Sequence, residues 1–75
     1  MNESLIAAMA QILECQPREI SLFTEFRSFP EWDSVAYISA VTMIESEFGV
    51  LIPDDEFQKL KTISDIADYI HKHNG

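Results

Sequence analysis

Three prolines, at positions 17, 30 and 53, cut the chain into segments, and within the segments apolar residues recur at helical rather than strand spacing. Proline lacks an amide proton and clashes with the preceding turn, so a helix does not run smoothly through it. Before Pro17, Leu5, Met9 and Ile12 fall at i, i+4 and i+7, with Ile6 and Leu13 beside them. This spacing predicts a helix from about Glu3 to Cys15 with one apolar face. The clearest helix is predicted over Ser34 to Phe48. On a helical wheel Tyr37, Ile38, Ala40, Val41, Ile44 and Phe48 share one side, expected to face the core. Val35, Ala36, Ser39, Thr42, Met43, Ser46 and Glu47 share the other, expected to face outward. Asp33 or Ser34 can cap the start by accepting free backbone N–H groups. Gly49 suits a left-handed ending.

Pro53-Asp54-Asp55-Glu56 opens a short helix ending near Leu60, with Phe57 and Leu60 facing inward. Its acidic first turn complements the helix dipole. A last helix starts at Thr62, where Thr62 and Asp65 have the spacing of a capping box. Ile63, Ile66, Ala67 and Ile70 form its inner face, and His71, Lys72 and His73 suit the negative pole at its end. The Gln16–Asp33 stretch is long for a connection in a small domain. It carries Ile20, Leu22, Phe23, Phe26, Phe29 and Trp32, which are expected to pin it across the helices, and Thr24-Glu25 can begin a short turn. The expected fold is all-α: a four-helix bundle of three longer helices and one short one, in a single domain over residues 1–75.

A 75-residue chain must build its core economically, and 47% hydrophobic residues is enough for a globular domain. Net charge is −8, from 5 basic and 13 acidic residues, which argues against nucleic acid and anionic membrane surfaces as partners. The charge fits either steering toward a basic partner or solubility alone. A single cysteine, Cys15, forms no internal disulfide and fits a reducing cytoplasm. No apolar run reaches 18 residues, and no basic-then-apolar leader opens the chain.

Few residues offer chemistry. Cys15 has no basic neighbour in sequence to activate it and reads as a packed thiol. His71 and His73, two apart, lie on different helix faces and make a poor metal pair. Asp54-Asp55-Glu56 lacks the spacing and glycine of a calcium loop. Ser34 has no Gly-x-Ser-x-Gly surroundings, and both histidines are far away in sequence, so a hydrolase triad is not expected. By position alone Ser34 is a helix cap.

The residues around it carry a resemblance. Trp32-Asp33-Ser34-Val35 resembles the Asp-Ser-Leu signature of acyl and peptidyl carrier proteins, and Ala36 to Gly49, ending Glu45-Ser46-Glu47-Phe48-Gly49, is similar to the helix that follows it. Ile52-Pro53-Asp54-Asp55-Glu56 resembles the family's Ile-Pro-Asp-Glu-Glu element, and Thr62-Ile63 to Tyr69-Ile70 its last helix. The likeness runs through essentially the whole chain. It implies a non-enzymatic carrier in the cytoplasm, a monomer primed by a phosphopantetheinyl transferase. That enzyme would attach 4′-phosphopantetheine from coenzyme A to Ser34, beside Asp33. The arm's thiol would hold fatty-acyl, polyketide or aminoacyl cargo as a thioester for loading and biosynthetic enzymes. Partner contacts are expected at Val35, Ala36, Ser39, Thr42, Met43, Glu45, Asp54 and Asp55.

Two departures stand out. Val35 replaces the family's usual Leu or Met. Ala36 and Ser39 are uncharged where fatty-acid carriers have acids, which suggests a specialised carrier, its docking surface neutral beside Ser34 and acidic further away. The alternative is a carrier-fold helical adaptor without an arm.

Overall fold

The computed structural model describes residues 2–73. Four helices follow one another: α1 (Asn2–Ile12), α2 (Ser34–Phe48), α3 (Asp54–Phe57) and α4 (Ile63–His73). Two short 3₁₀ turns, Pro17–Glu19 and Phe26–Ser28, punctuate the connection between α1 and α2. Among the described residues there is no strand; one isolated bridge pairs Glu25 with Thr62. The expected all-helical bundle is what the chain forms.

α1 packs against both α2 and α4. Leu5, Met9, Ala10 and Leu13 from the first segment meet Ala40 and Ile44 of α2, Phe57 of α3, and Ile63, Ile66 and Ile70 of α4 in one core. No polar or charged residue is buried among those described. Apolar burial and close packing, without a buried polar network, therefore hold the centre.

α1 stops earlier than predicted, and the reason lies in its backbone. Glu14 adopts φ 58°. The Cys15 N–H donates to the Ala10 carbonyl at 2.9 Å and the Glu14 N–H to that of Gln11 at 3.2 Å. This is the crossed hydrogen-bond pattern that closes a helix through a left-handed residue, normally glycine. A side chain there costs roughly 1–2 kcal/mol.

The buried stripe of α2 is Ala36, Ala40 and Ile44, one residue every four, flanked by half-buried Tyr37, Val41, Phe48 and Met43. Three expectations are corrected here. Ile38 is 60% exposed, whereas Ala36 is 6% exposed. α2 carries apolar residues on most of its circumference, so periodicity alone does not choose the buried face. Bulk favours Ile38 on the wheel, but the residue buried is the small Ala36. Met43, expected to point outward, also packs against the core.

The long connection is pinned as expected by Ile20, Leu22, Phe26, Phe29 and Trp32, but Phe23 is 84% exposed and pins nothing. A hydrogen-bonded turn turns Phe23 out: the Ser21 N–H donates to Thr24 Oγ1 at 2.8 Å, and the Phe23 N–H to Ser21 Oγ at 3.2 Å. The loop also completes α4. A helix start leaves unpaired N–H groups. Here the Ile63 and Ser64 N–H groups donate to the Thr24 and Leu22 carbonyls at 3.2 and 2.7 Å.

The capping box read from the sequence is present. Asp65 N–H donates to Thr62 Oγ1 at 3.1 Å, and the Asp65 carboxylate accepts the Lys61 and Thr62 N–H groups at 2.9 and 3.1 Å. Those backbone bonds, Lys61's first, hold the Asp65 carboxyl below the usual carboxylate range. A depressed folded-state pKa gives stability that is present above the unfolded value of about 3.9 and lost as pH falls through the folded one. Accordingly, Asp65→Asn should be less stable than wild type by a constant margin at neutral pH. That margin should shrink below about pH 4, as read by urea unfolding across an acid titration. A margin independent of pH would contradict this account.

Candidate functional site

α2 begins where the chain turns from extended backbone into helix. Asp33 has φ −138° and ψ −169°, and its Oδ1 accepts the Ala36 N–H at 2.8 Å. Asp33 is thus the cap, and Ser34 is the first helical residue, exposed and free of that duty. Next to it Val35 and Ile38 are exposed apolar residues, 71% and 60%.

The floor beneath this corner is aromatic. Phe26 and Trp32 meet edge to face at 4.7 Å between centroids, and Trp32 stacks on Phe57 at 6.1 Å with an interplanar angle of 4°. Tyr37 packs its edge on Phe57 at 5.2 Å. Arg27 ties the cluster down. Its Nε donates to the Leu60 carbonyl at 2.9 Å and its Nη2 to the Phe57 carbonyl at 2.6 Å. Its guanidinium lies 5.2 and 5.4 Å from the Phe26 and Phe57 ring centroids. The final carbonyls of a helix have no intrahelical partner, and Arg27 supplies one for α3 from thirty residues away in sequence. Tyr37 adds a second tie, donating its hydroxyl to Asp54 Oδ1 at 2.8 Å. That bond, with some burial, raises the Tyr37 pKa above its ordinary value.

Between these elements lies a cleft of about 350 Å³ bordered by Ser34, Trp32, Tyr37, Ile38, Asp54 and Gln58. On the opposite flank of α2 runs a groove of about 500 Å³ against α1. It collects Val35, Ala36, Ser39 and Met43 from the expected contact residues, facing Ala8 and Ile12 of α1. Thr42, Glu45 and Asp55 are exposed outside both hollows, and Asp54 is held by Tyr37. Ala36 is too buried for the full partner contact expected of it; Ser39 is exposed. The surroundings of Ser34 are also less neutral than α2 alone suggests. Glu14 and Glu31, from other segments, share the groove with Asp33.

Cys15 is partly buried, and its thiol pKa is raised, first by burial and then by Glu19 and Glu31. These surroundings disfavour the thiolate, the nucleophilic form of a cysteine. His73 stacks on Tyr69 at 4.2 Å. No described helix is long and apolar enough to cross a membrane.

Sequence comparison bears on this geometry directly. The family model described as "Phosphopantetheine attachment site" matches residues 3–70. The chain belongs to the acyl carrier protein family. It is 36% identical over 67 residues to an acyl carrier protein of Lactobacillus acidophilus, covering 89% of this chain and 84% of that one. It is also 36% identical over 76 residues to an acyl carrier protein of Thermosynechococcus vestitus, covering 95% and 94%. A meromycolate extension acyl carrier protein of Mycolicibacterium smegmatis is 31% identical over 75 residues, covering 95% and 76%. Members carry 4′-phosphopantetheine, are modified by a phosphopantetheinyl transferase and work with biosynthetic enzymes; they are carriers, not enzymes.

Arg27 is the residue the sequence reading missed. Its partners are backbone carbonyls 30 and 33 positions away, which leave no mark in side-chain pattern. Replacing it with Met keeps the stem, strands the Leu60 carbonyl and leaves the Phe57 carbonyl only the Leu60 N–H, at 3.0 Å. Arg27→Met should lower the unfolding free energy by about 1–3 kcal/mol in urea titration; an unchanged midpoint would mean that the clamp carries no net stability.

Proposed function

We propose that Ser34 bears the phosphopantetheine arm and that the chain is a specialised carrier of acyl thioesters. The observation that carries the first part is the division of labour at the start of α2. Asp33 caps the helix, so the Ser34 hydroxyl is not used as a cap and stands exposed at the first helical residue, open to a modifying enzyme. The adjoining cleft gives the arm a mixed wall of Trp32, Tyr37 and Gln58 to lie along. Tethering then raises the local concentration of cargo at each partner's active site.

The test is intact mass after incubation with a broad-specificity phosphopantetheinyl transferase, coenzyme A and magnesium. Wild type should gain one phosphopantetheinyl group and Ser34→Ala none. A gain on both would place the arm elsewhere. No gain on a folded wild type, with a control carrier modified in parallel, would favour the arm-free adaptor.

The specialised reading rests on the exposed face of α2. Its first turns present Val35, Ile38, Ser39 and Thr42, and no carboxylate appears in α2 before Glu45. Rim charges chiefly set association rate and partner choice. Loss of acids there fits partners other than a housekeeping fatty-acid synthase. Ser39→Glu should raise kcat/KM with a fatty-acid synthase partner by about threefold at low salt, an increase that fades as salt screens it. Kinetics indifferent to the added charge would remove the basis for this reading. The unpaired, unactivated Cys15 fits a cytoplasmic setting.

A further inference from the structure

A cargo tethered at Ser34 is either covered by the protein or left in water. Each methylene left in water is unfavourable, so a bundle that shelters a long alkyl chain needs an apolar recess that opens beside Ser34. The hollow that Ser34 borders is the cleft toward α3, and it is poorly made for hydrocarbon. Five of the eight residues around it are polar or charged, and its one aliphatic side chain is Ile38. Ile38 is itself 60% exposed, and none of the eight is buried.

The way inward from this cleft is closed by a ring. Trp32 borders the cleft, whereas Phe26 and Phe57, the two fully buried rings it touches, do not. Trp32 lies flat on Phe57 and meets Phe26 edge to face, so its indole stands between the cleft and the core. The plate is also held at its margins. Arg27 fixes the end of α3, and the Tyr37 hydroxyl bonds Asp54 across the cleft wall. A chain passing inward would have to part the Trp32–Phe57 stack and displace these ties. The larger groove against α1 offers no substitute: Ser34 does not border it, and carboxylates of Glu14, Glu31, Asp33 and Glu47 line it.

We propose that Trp32 closes the bundle to alkyl chains, and that the cargo of this chain is a short or polar acyl group with little hydrocarbon to cover. This names the cargo class for the Ser34 thioester carrier proposed above and rests on that reading.

The test uses the full chain, loaded from acetyl-, hexanoyl- and decanoyl-coenzyme A by a broad-specificity phosphopantetheinyl transferase and checked by intact mass. Trp32 is the only tryptophan, so its emission reports on the cleft. The three loaded forms should share one emission maximum and one urea midpoint. Sheltering the chain would instead raise the folding constant by about fourfold for each methylene buried, or about sixteenfold for two. A rise of that size with chain length, or an emission maximum that moves with it, would overturn the proposal, whether the chain lay in the cleft or in the α1 groove. Trp32→Ala supplies the converse. Without the plate, the Phe26 and Phe57 rings face an apolar cavity of the kind that takes up hydrocarbon. In that variant the decanoyl form should exceed the acetyl form in folding constant by about tenfold or more; equal values in a folded Trp32→Ala would remove Trp32 from the role. If Trp32→Ala does not fold, the wild-type series alone decides. A folded wild type that accepts none of the three acyl groups shows an unchanged mass, which overturns the carrier reading and this one with it, and is distinct from a loaded series that varies with length.

Discussion

The guanidinium of Arg27 joins two parts of the chain that neither could order alone. α3 has four residues, far too few for a helix to be stable by its own hydrogen bonds. The connection before α2 has no repeating backbone pairing. Arg27 bonds the carbonyls at the end of α3 while its flat face rests on Phe26 and Phe57. Charge-assisted bonds of this kind are stronger than neutral ones, and a planar fork reaches two acceptors at fixed angles. Tyr37 extends the joint to α2 through Asp54. The cleft beside Ser34 exists because this joint holds α3 at a set distance from α2.

The two flanks of α2 differ in chemistry. The α3 flank is aromatic, and the acids lining its cleft, Asp33 and Asp54, accept from the Ala36 amide and the Tyr37 hydroxyl. The α1 flank is small-residued, with carboxylates along its rim. Ser34 stands at the corner where the two meet.

Much of this was legible in the sequence, and the reason is locality. The Asp33 cap, the left-handed Gly49 at φ 71° and the Thr62–Asp65 box are set by residues within four positions of one another. The core faces of α1 and α4 also followed from spacing, since polar residues mark the opposite sides. α2 is different. It is apolar on most sides, so its wheel favours the bulky Ile38, although the small Ala36 is the residue buried. Phe23 and Phe26 are alike in composition, and only the turn built on Ser21 and Thr24 decides which points in. Glu14 occupies a conformation usually announced by glycine, so its turn had no signature. Glu31 and Glu14 approach α2 through the fold, and no window of α2 contains them.

The cap at the start of α2 has an electrical consequence. The positive pole of a helix amounts to about half an elementary charge. Asp33, already bonded to the Ala36 amide, more than cancels it. On the proposed reading, the phosphodiester at Ser34 adds another anion to a corner that holds Asp33, Glu14 and Glu31. Priming therefore charges the molecule against its own field. The primed form should draw counterions that the unprimed form does not, and its stability should depend more steeply on salt.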